Sequence, residues 1–109
     1  MKAGFTYMLT NSKRTMLYVG VTNDMERRIL EHKAGIGSKH TSKYNIKYLV
    51  YYEEFPSIVD AIAREKQLKN WHKDWKWNLI KETNPNFIDL SVDWFTENDI
   101  IQVSDSERS

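Results

Sequence analysis

The narrow spacing between two apolar, β-rich runs constrains this chain most. Phe5 to Thr10 and Met16 to Val21 flank the polar stretch Asn11-Ser12-Lys13-Arg14, a pattern that predicts a β-hairpin. If Thr10 pairs with Thr15 around that stretch, Tyr7 falls opposite Tyr18 and Phe5 opposite Gly20. Side chains alternate between the faces of a sheet, so both tyrosines then project from one face. Gly20 leaves a gap beside them where a backbone or a ligand could come close. The arrangement is conditional on the register, since a slip of one residue would turn a tyrosine to the other face.

A helix follows the hairpin. Asn23, with Glu26 three residues on, reads as a capping box, and the helix should run from about Asp24 until Gly35 and Gly37 stop it. Met25, Ile29 and Leu30 form its inner side, while Arg28 and His32 share a face at i, i+4 spacing. Ser38 to Asn45 is polar and basic and reads as a loop. Lys47 to Phe55 is the third strand. Pro56-Ser57 opens the next helix, with Asp60 three residues after the Ser57 cap. Its apolar stripe is Ile58, Ala61, Ile62 and Leu68, and Glu65 falls within that stripe. Lys73 to Lys81 continues as a Trp-rich helix, ended by Asn84-Pro85. Phe87, Ile88, Leu90, Val92, Trp94 and Phe95 are expected to fold back onto the body, and the end from about Ser104 to fray.

Composition bounds the class. A chain of 109 residues with 40% hydrophobic and 13% aromatic content is one globular domain with a single core. The absence of cysteine excludes disulfides and thiolate-bound zinc. No stretch is long and apolar enough to span a bilayer and no targeting segment is evident, so a cytoplasmic location, with no membrane, is expected. The net charge of +1 hides an asymmetry. Up to Lys81 there are 15 Lys and Arg against 8 Asp and Glu, and from Glu82 onward one Arg against 7 acids. A basic body with an acidic tail fits nucleic-acid association or a self-shielding tail, with an unevenly charged solvated surface as the ordinary alternative.

The chemistry-bearing residues each have an ordinary alternative. Glu65 could be an ion pair with Lys69 or Arg28, Arg28 and His32 could be helix-surface charges, and the tyrosines could be plain sheet aromatics. Together, two phenols, a guanidinium, an imidazole and one carboxylate form a kit for phosphodiester hydrolysis. A single carboxylate can hold one hard cation that keeps most of its waters, and arginine binds phosphate oxygens through a planar fork. Other chemistries lack support: no P-loop or dinucleotide fingerprint occurs, and His32, His40 and His72 lack metal-ligand spacing. The tryptophans read as core rather than as a base-stacking platform.

Thr6-Tyr7, then Tyr18-Val19-Gly20, then Arg28 eight residues beyond the glycine, His32 and Glu65 resemble the motifs of the GIY-YIG nuclease family, and most of all its small stand-alone bacterial members. The resemblance covers about Phe5 to Asn86, and Phe5 stands where the family often has glycine. It implies an α+β fold, a three-stranded, mainly antiparallel sheet flanked by helices, occupying residues 1–88; the charge and apolar pattern make residues 89–109 an acidic tail packing on the body. It implies that Tyr7 and Tyr18 are the motif tyrosines, Arg28 the phosphate-contacting arginine, His32 the assisting helix residue and Glu65 the metal ligand. Asn84 is the candidate for the family's late asparagine. The implied cofactor is one Mg²⁺ or Mn²⁺ ion. The implied partner is DNA, with RNA as an alternative, and a recruiting protein would supply the specificity that a lone domain lacks. The implied activity is a metal-dependent endonuclease, structure-specific in repair or recombination. The competing reading is a non-catalytic nucleic-acid-binding module that keeps the fold. Under the nuclease reading Tyr7, Tyr18, Arg28, His32 and Glu65 should border one shallow pocket with Gly20 at its floor.

Overall fold

In the computed structural model, which describes residues 3–108, the hairpin forms with a longer loop than the sequence predicts. Strand β1 (Gly4–Thr10) pairs antiparallel with β2 (Leu17–Thr22). The first pair is Thr10 with Leu17 rather than with Thr15, so Tyr7 faces Gly20 and Tyr18 faces Leu9. Asn11 is the cause. Its Oδ1 accepts from the N–H groups of Thr15 and Met16 at 2.9 and 3.1 Å, so these donors cannot open the ladder, and Arg14 turns through the left-handed region at φ 57°. The slip is two residues. Parity is preserved, and both tyrosines still share a face.

Strand β3 (Tyr48–Phe55) pairs antiparallel with the other side of β1, giving the order β2-β1-β3 with an irregularity between Met8 and Leu9. Alternation along β1 divides the core in two. Tyr7 and Leu9 pack with Met25 and Ile29 of α1 (Met25–Lys33) and with Ile46 and Leu49. Met8, Val19 and Val50 pack on the opposite face with Leu68 of α3 (Ile58–Asn70) and Ile80 of α4 (Lys73–Thr83). Thr6, also on that opposite face, donates its hydroxyl to the Ala61 carbonyl at 2.7 Å. The fold is therefore α+β, a three-stranded antiparallel sheet flanked by helices on both faces.

Several local expectations change. Asp24, not Asn23, caps α1, its carboxylate accepting from Arg27 N–H at 3.2 Å; Gly35, at φ +78°, ends the helix as predicted. The segment read as a loop contains a short helix, α2 (Lys39–Lys43), capped by Ser38. Ser57 caps α3 as expected, but its buried line is Ala61 and Leu68, while Ile62 is exposed at the rim. Among the tryptophans, Trp71 and Trp77 lean on the core, whereas Trp75 is 59% exposed.

The tail closes over the tyrosine-bearing face. Leu90, Trp94 and Phe95 pack there, and Phe87 packs on the other core, but Ile88 and Val92 stay exposed. An unpredicted helix, α5 (Glu97–Arg108), lies against α1. It carries the chain past Ser104, where the sequence predicts fraying; Ser109 lies outside the described residues. The tail is fastened by Asp89, which accepts from Lys33 Nζ at 2.6 Å, from Leu49 N–H at 3.2 Å and from Ser91 N–H and Oγ–H at 3.0 and 2.6 Å. Leu90 N–H returns a bond to the Leu49 carbonyl at 2.8 Å. Both side chains of the Lys33–Asp89 pair are largely buried, at 12% and 15% exposure. Removing one partner of such a pair strands the other charge, so Asp89→Ala should lower the unfolding free energy by about 3 kcal/mol. Urea denaturation of wild type and variant measures it.

Candidate active site

Four of the six sequence candidates meet on the α1 face of the sheet. Tyr7 reaches it from the middle strand and is fully buried. Its ring occupies the space over Gly20: a Cβ at position 20 would stand 2.4 Å from the Tyr7 hydroxyl oxygen and Cζ. The gap anticipated for a backbone or a ligand is filled by the protein's own phenol. Tyr18, diagonal to Tyr7 and half-buried, sets its ring centroid 6.3 Å from that of Tyr7 and 5.5 Å from that of His32. Arg28 and His32, one turn apart on α1, close over the Tyr7 hydroxyl from two sides. Arg28 Nε donates to it at 3.3 Å, and His32 Nε2 lies 3.0 Å from it.

The electrostatics follow from burial. Tyr7 is pushed up to about 12, chiefly by desolvation and against the hydrogen bond from Arg28. Burial, reinforced by the charge of Arg28, pulls His32 down to about 4. At neutral pH the pair is a phenol and a neutral imidazole. Burial works against the Arg28 charge too, but its bonds to Tyr7 and Glu31, with the Tyr18 phenol nearby, outweigh it and hold the guanidinium above its ordinary range. Glu31, which sequence reasoning passed over, accepts from Arg28 Nη1 at 3.1 Å and lies 3.8 Å from Arg27 Nε. Its signal was its position, three and four residues beyond the two arginines. Beside these groups Thr22, Asn23, Asp24, Arg27, Arg28 and Glu31 line an open cleft of about 550 Å³.

Glu65 arrives from the other layer. Its helix, α3, packs on the face opposite Tyr7 and Tyr18, so the five residues do not share one face of the sheet. Ala61 and Leu68 point into the sheet, and Arg64 turns toward β3, where its Nε donates to Glu53 at 2.9 Å. Successive residues turn by about 100° on a helix, so Glu65 flanks the inward line on the other side, toward β2. No strand pairs with the outer edge of β2 among the described residues. The Glu65 side chain is 16% exposed, and its ion-pair partner is Lys69 Nζ at 3.5 Å, itself 52% exposed. No trio of His, Asp or Glu forms a ready-made metal cage among the described residues. A lone carboxylate whose counter-charge is free to swing into solvent does suit one hard cation that retains its waters.

Asn84 is spent on structure. It is buried at the end of α4, its Nδ2 donates to the carbonyls of Val50 and Ile88 at 3.1 and 2.9 Å, and its Oδ1 accepts from Ile88 N–H at 3.1 Å. The structure does not bring it to the Tyr7–Arg28–His32 group.

A small antiparallel sheet with a tyrosine pair, an arginine and a histidine on one covering helix, and a glutamate on the next long helix, defines a nuclease-type domain. Residues 3–78 match the GIY-YIG catalytic domain, and the chain belongs to that family. It is 39% identical over 66 residues to a UPF0213 protein of Haloquadratum walsbyi, covering 61% of this chain and 74% of that one. A UPF0213 protein of Staphylococcus haemolyticus is 36% identical over 74 residues, covering 68% and 90%. The solution structure of a UPF0213 protein from Bacillus halodurans superposes with a TM-score of 0.52 at 26% identity, over 84% of this chain and 97% of that one. No helix among the described residues is long and apolar enough to cross a membrane.

The buried imidazole has a consequence for stability. The unfolded chain protonates His32 near the ordinary value of about 6.5, the folded chain only near 4. Acid therefore favours unfolding, and the contribution of His32 is lost as pH falls from about 6.5 toward 4, by up to about 3 kcal/mol. Denaturant titrations at several pH values should show this slope in wild type and a flatter one in His32→Gln.

Proposed function

We propose that the protein is a metal-dependent endonuclease that hydrolyses DNA phosphodiester bonds, with branched or damaged duplexes in repair or recombination as its substrates. One observation carries the reading: Arg28 is held by Tyr7 and Glu31 at the lip of an open cleft, with the half-exposed phenol of Tyr18 beside it. A guanidinium held in that way presents its remaining N–H donors to phosphate oxygens without first losing side-chain freedom, and stabilises the charge that grows on phosphorus-bound oxygen. Tyr18 is the phenol that solvent reaches. As the attacking water forms its bond to phosphorus, Tyr18 takes the water's proton on its oxygen and passes its own to solvent, and the departing oxygen takes a proton from solvent. Tyr7, fully buried, braces Arg28. Glu65 would hold the Mg²⁺ or Mn²⁺ ion, which when bound supplies Lewis-acid stabilisation of negative charge. Because β2 is an edge strand, groups on its two faces flank the same border, and a DNA backbone lying along that border touches both.

Glu65→Ala and Arg28→Ala should each abolish Mg²⁺-dependent nicking. Losing Glu65 leaves Lys69 in solvent, so its variant should melt within about 1 kcal/mol of wild type. Nicking of plasmid and branched DNA, paired with thermal melts, is the test. Wild-type protein that binds DNA but never nicks it with Mg²⁺ or Mn²⁺ would leave a binding module.

The acidic helix α5 lies against α1, which carries Arg27 and Arg28. Deleting residues 99–109 should therefore tighten DNA binding, and the affinity of both proteins should fall steeply with salt as phosphate contacts release counterions. Fluorescence anisotropy at two salt concentrations measures both effects, and weaker binding by the truncated chain would refute shielding.

A further inference from the structure

The Tyr7–His32 contact continues on the far side of the imidazole, toward α2. His32 Nδ1 lies 3.1 Å from the hydroxyl of Thr41, on α2, and Thr41 is itself buried. Ser38 caps that helix: its Oγ accepts Thr41 N–H at 3.1 Å and stands 2.8 Å from Thr41 Oγ1. The chain passes so close to the imidazole that a Cβ at Gly37 would sit 2.3 Å from His32 Nδ1. The segment from Gly37 to Thr41 thus wraps the ring on the side opposite Tyr7.

Counting donors assigns the protons along this chain. Arginine can only donate, so the Tyr7 oxygen accepts from Arg28 Nε. The Tyr7 proton then needs an acceptor, and in this fully buried setting the neighbouring acceptor is His32 Nε2. A neutral imidazole with Nε2 accepting carries its proton on Nδ1. That proton goes to Thr41 Oγ1, and the Thr41 hydroxyl proton goes on to Ser38, whose Oγ and carbonyl oxygen lie 2.8 and 3.4 Å away. Every member is satisfied in this arrangement, and no buried side-chain polar atom of the described residues lacks a partner. The opposite tautomer would turn His32 Nε2–H onto the Tyr7 oxygen, in competition with Arg28, and leave the Tyr7 proton without an acceptor.

We infer that Thr41 is a positioning residue: its hydroxyl, backed by Ser38, fixes the His32 proton on Nδ1, which orients the Tyr7 hydroxyl and through it aims Arg28 at the cleft. The effect on cleavage rests on the nuclease reading; the tautomer and the Arg28 bond do not, because both are read without substrate.

The experiment is NMR of the full chain at pH 7, where His32 is neutral, with ring ¹⁵N signals assigned by their loss in His32→Gln. Wild type should show a protonated-type Nδ1 and an unprotonated-type Nε2, with the Arg28 Nε–H slow to exchange with solvent. Thr41→Val, which keeps the shape and removes the hydroxyl, should mix or reverse the tautomers and speed Arg28 Nε–H exchange. Thr41→Ser should restore both. Cleavage should follow the same order, with Thr41→Val losing about 10- to 100-fold in kcat/KM, by analogy with removing a hydrogen-bond partner that orients a metal-binding side chain. A wild-type proton on Nε2, or a Thr41→Val ring and Arg28 exchange rate unchanged from wild type, overturns the inference. Should Thr41→Val fail to fold, the wild-type ring and Thr41→Ser still decide it. Wild type with the expected ring and no nicking would sink the nuclease reading and leave the tautomer assignment standing.

Discussion

The hydroxyl group of Tyr7 is the point on which the arrangement turns. It is a polar atom buried between a three-stranded sheet and the helix that covers it, and a group in that position must be satisfied by protein or cost the fold several kcal/mol. The satisfying groups are Arg28 and His32, so α1 must cross the sheet at the height and rotation that bring both to one atom. Gly20 makes the room, because any side chain there would displace the phenol. The requirement to bury one hydroxyl well thus orders the hairpin, the helix after it and the segment behind the helix. The same bonds hold the guanidinium out toward the cleft. Stability and the proposed activity draw on one network here, which makes its members hard to change singly.

Much of this was legible in the sequence, and the failures have specific causes. Strand parity put Tyr7 and Tyr18 on one face because alternation survives a slip of two residues. The register itself was hidden, since it depends on an Asn11 side chain capturing two backbone donors. Spacing placed Arg28 and His32 together on a helix face. It was silent on Thr41 and Ser38, because a five-residue polar helix has no apolar stripe and exists through its cap and its contact with His32. Glu65 stood out as a carboxylate in an apolar stripe. Periodicity tells which residues share a helix face, however, and not to which side of the sheet the helix crosses, so its arrival from the opposite layer could not be read. The tail helix α5 was missed for a related reason: residues 97–108 are polar almost throughout and gave no stripe to follow.

The two borders of the sheet serve opposite ends. Along β2 the outer backbone pairs with no other strand among the described residues; Tyr18 lies on one face, and α3, which carries Glu65, packs on the other. Along β3 the border is covered at Leu49 and Val50 by the Asp89–Leu90 segment and by Asn84. On the proposed reading a ligand would meet the first border, whereas the second is occupied by the fold itself.

The covering of β3 also has a place in time. Its bonds join residues 34 to 41 positions apart in the chain, and those to Asp89 and Leu90 are among the last a growing polypeptide can make. Phe55 completes the strand, but the seal waits until synthesis has passed residue 89, an interval of about 2–7 s at ordinary elongation rates. During that interval the nascent sheet has both edges bare. Unpaired strand edges are where chains join one another, so the tail closes the β3 border to such pairing only once it has been made, and a chain ending before Asp89 would leave that border open.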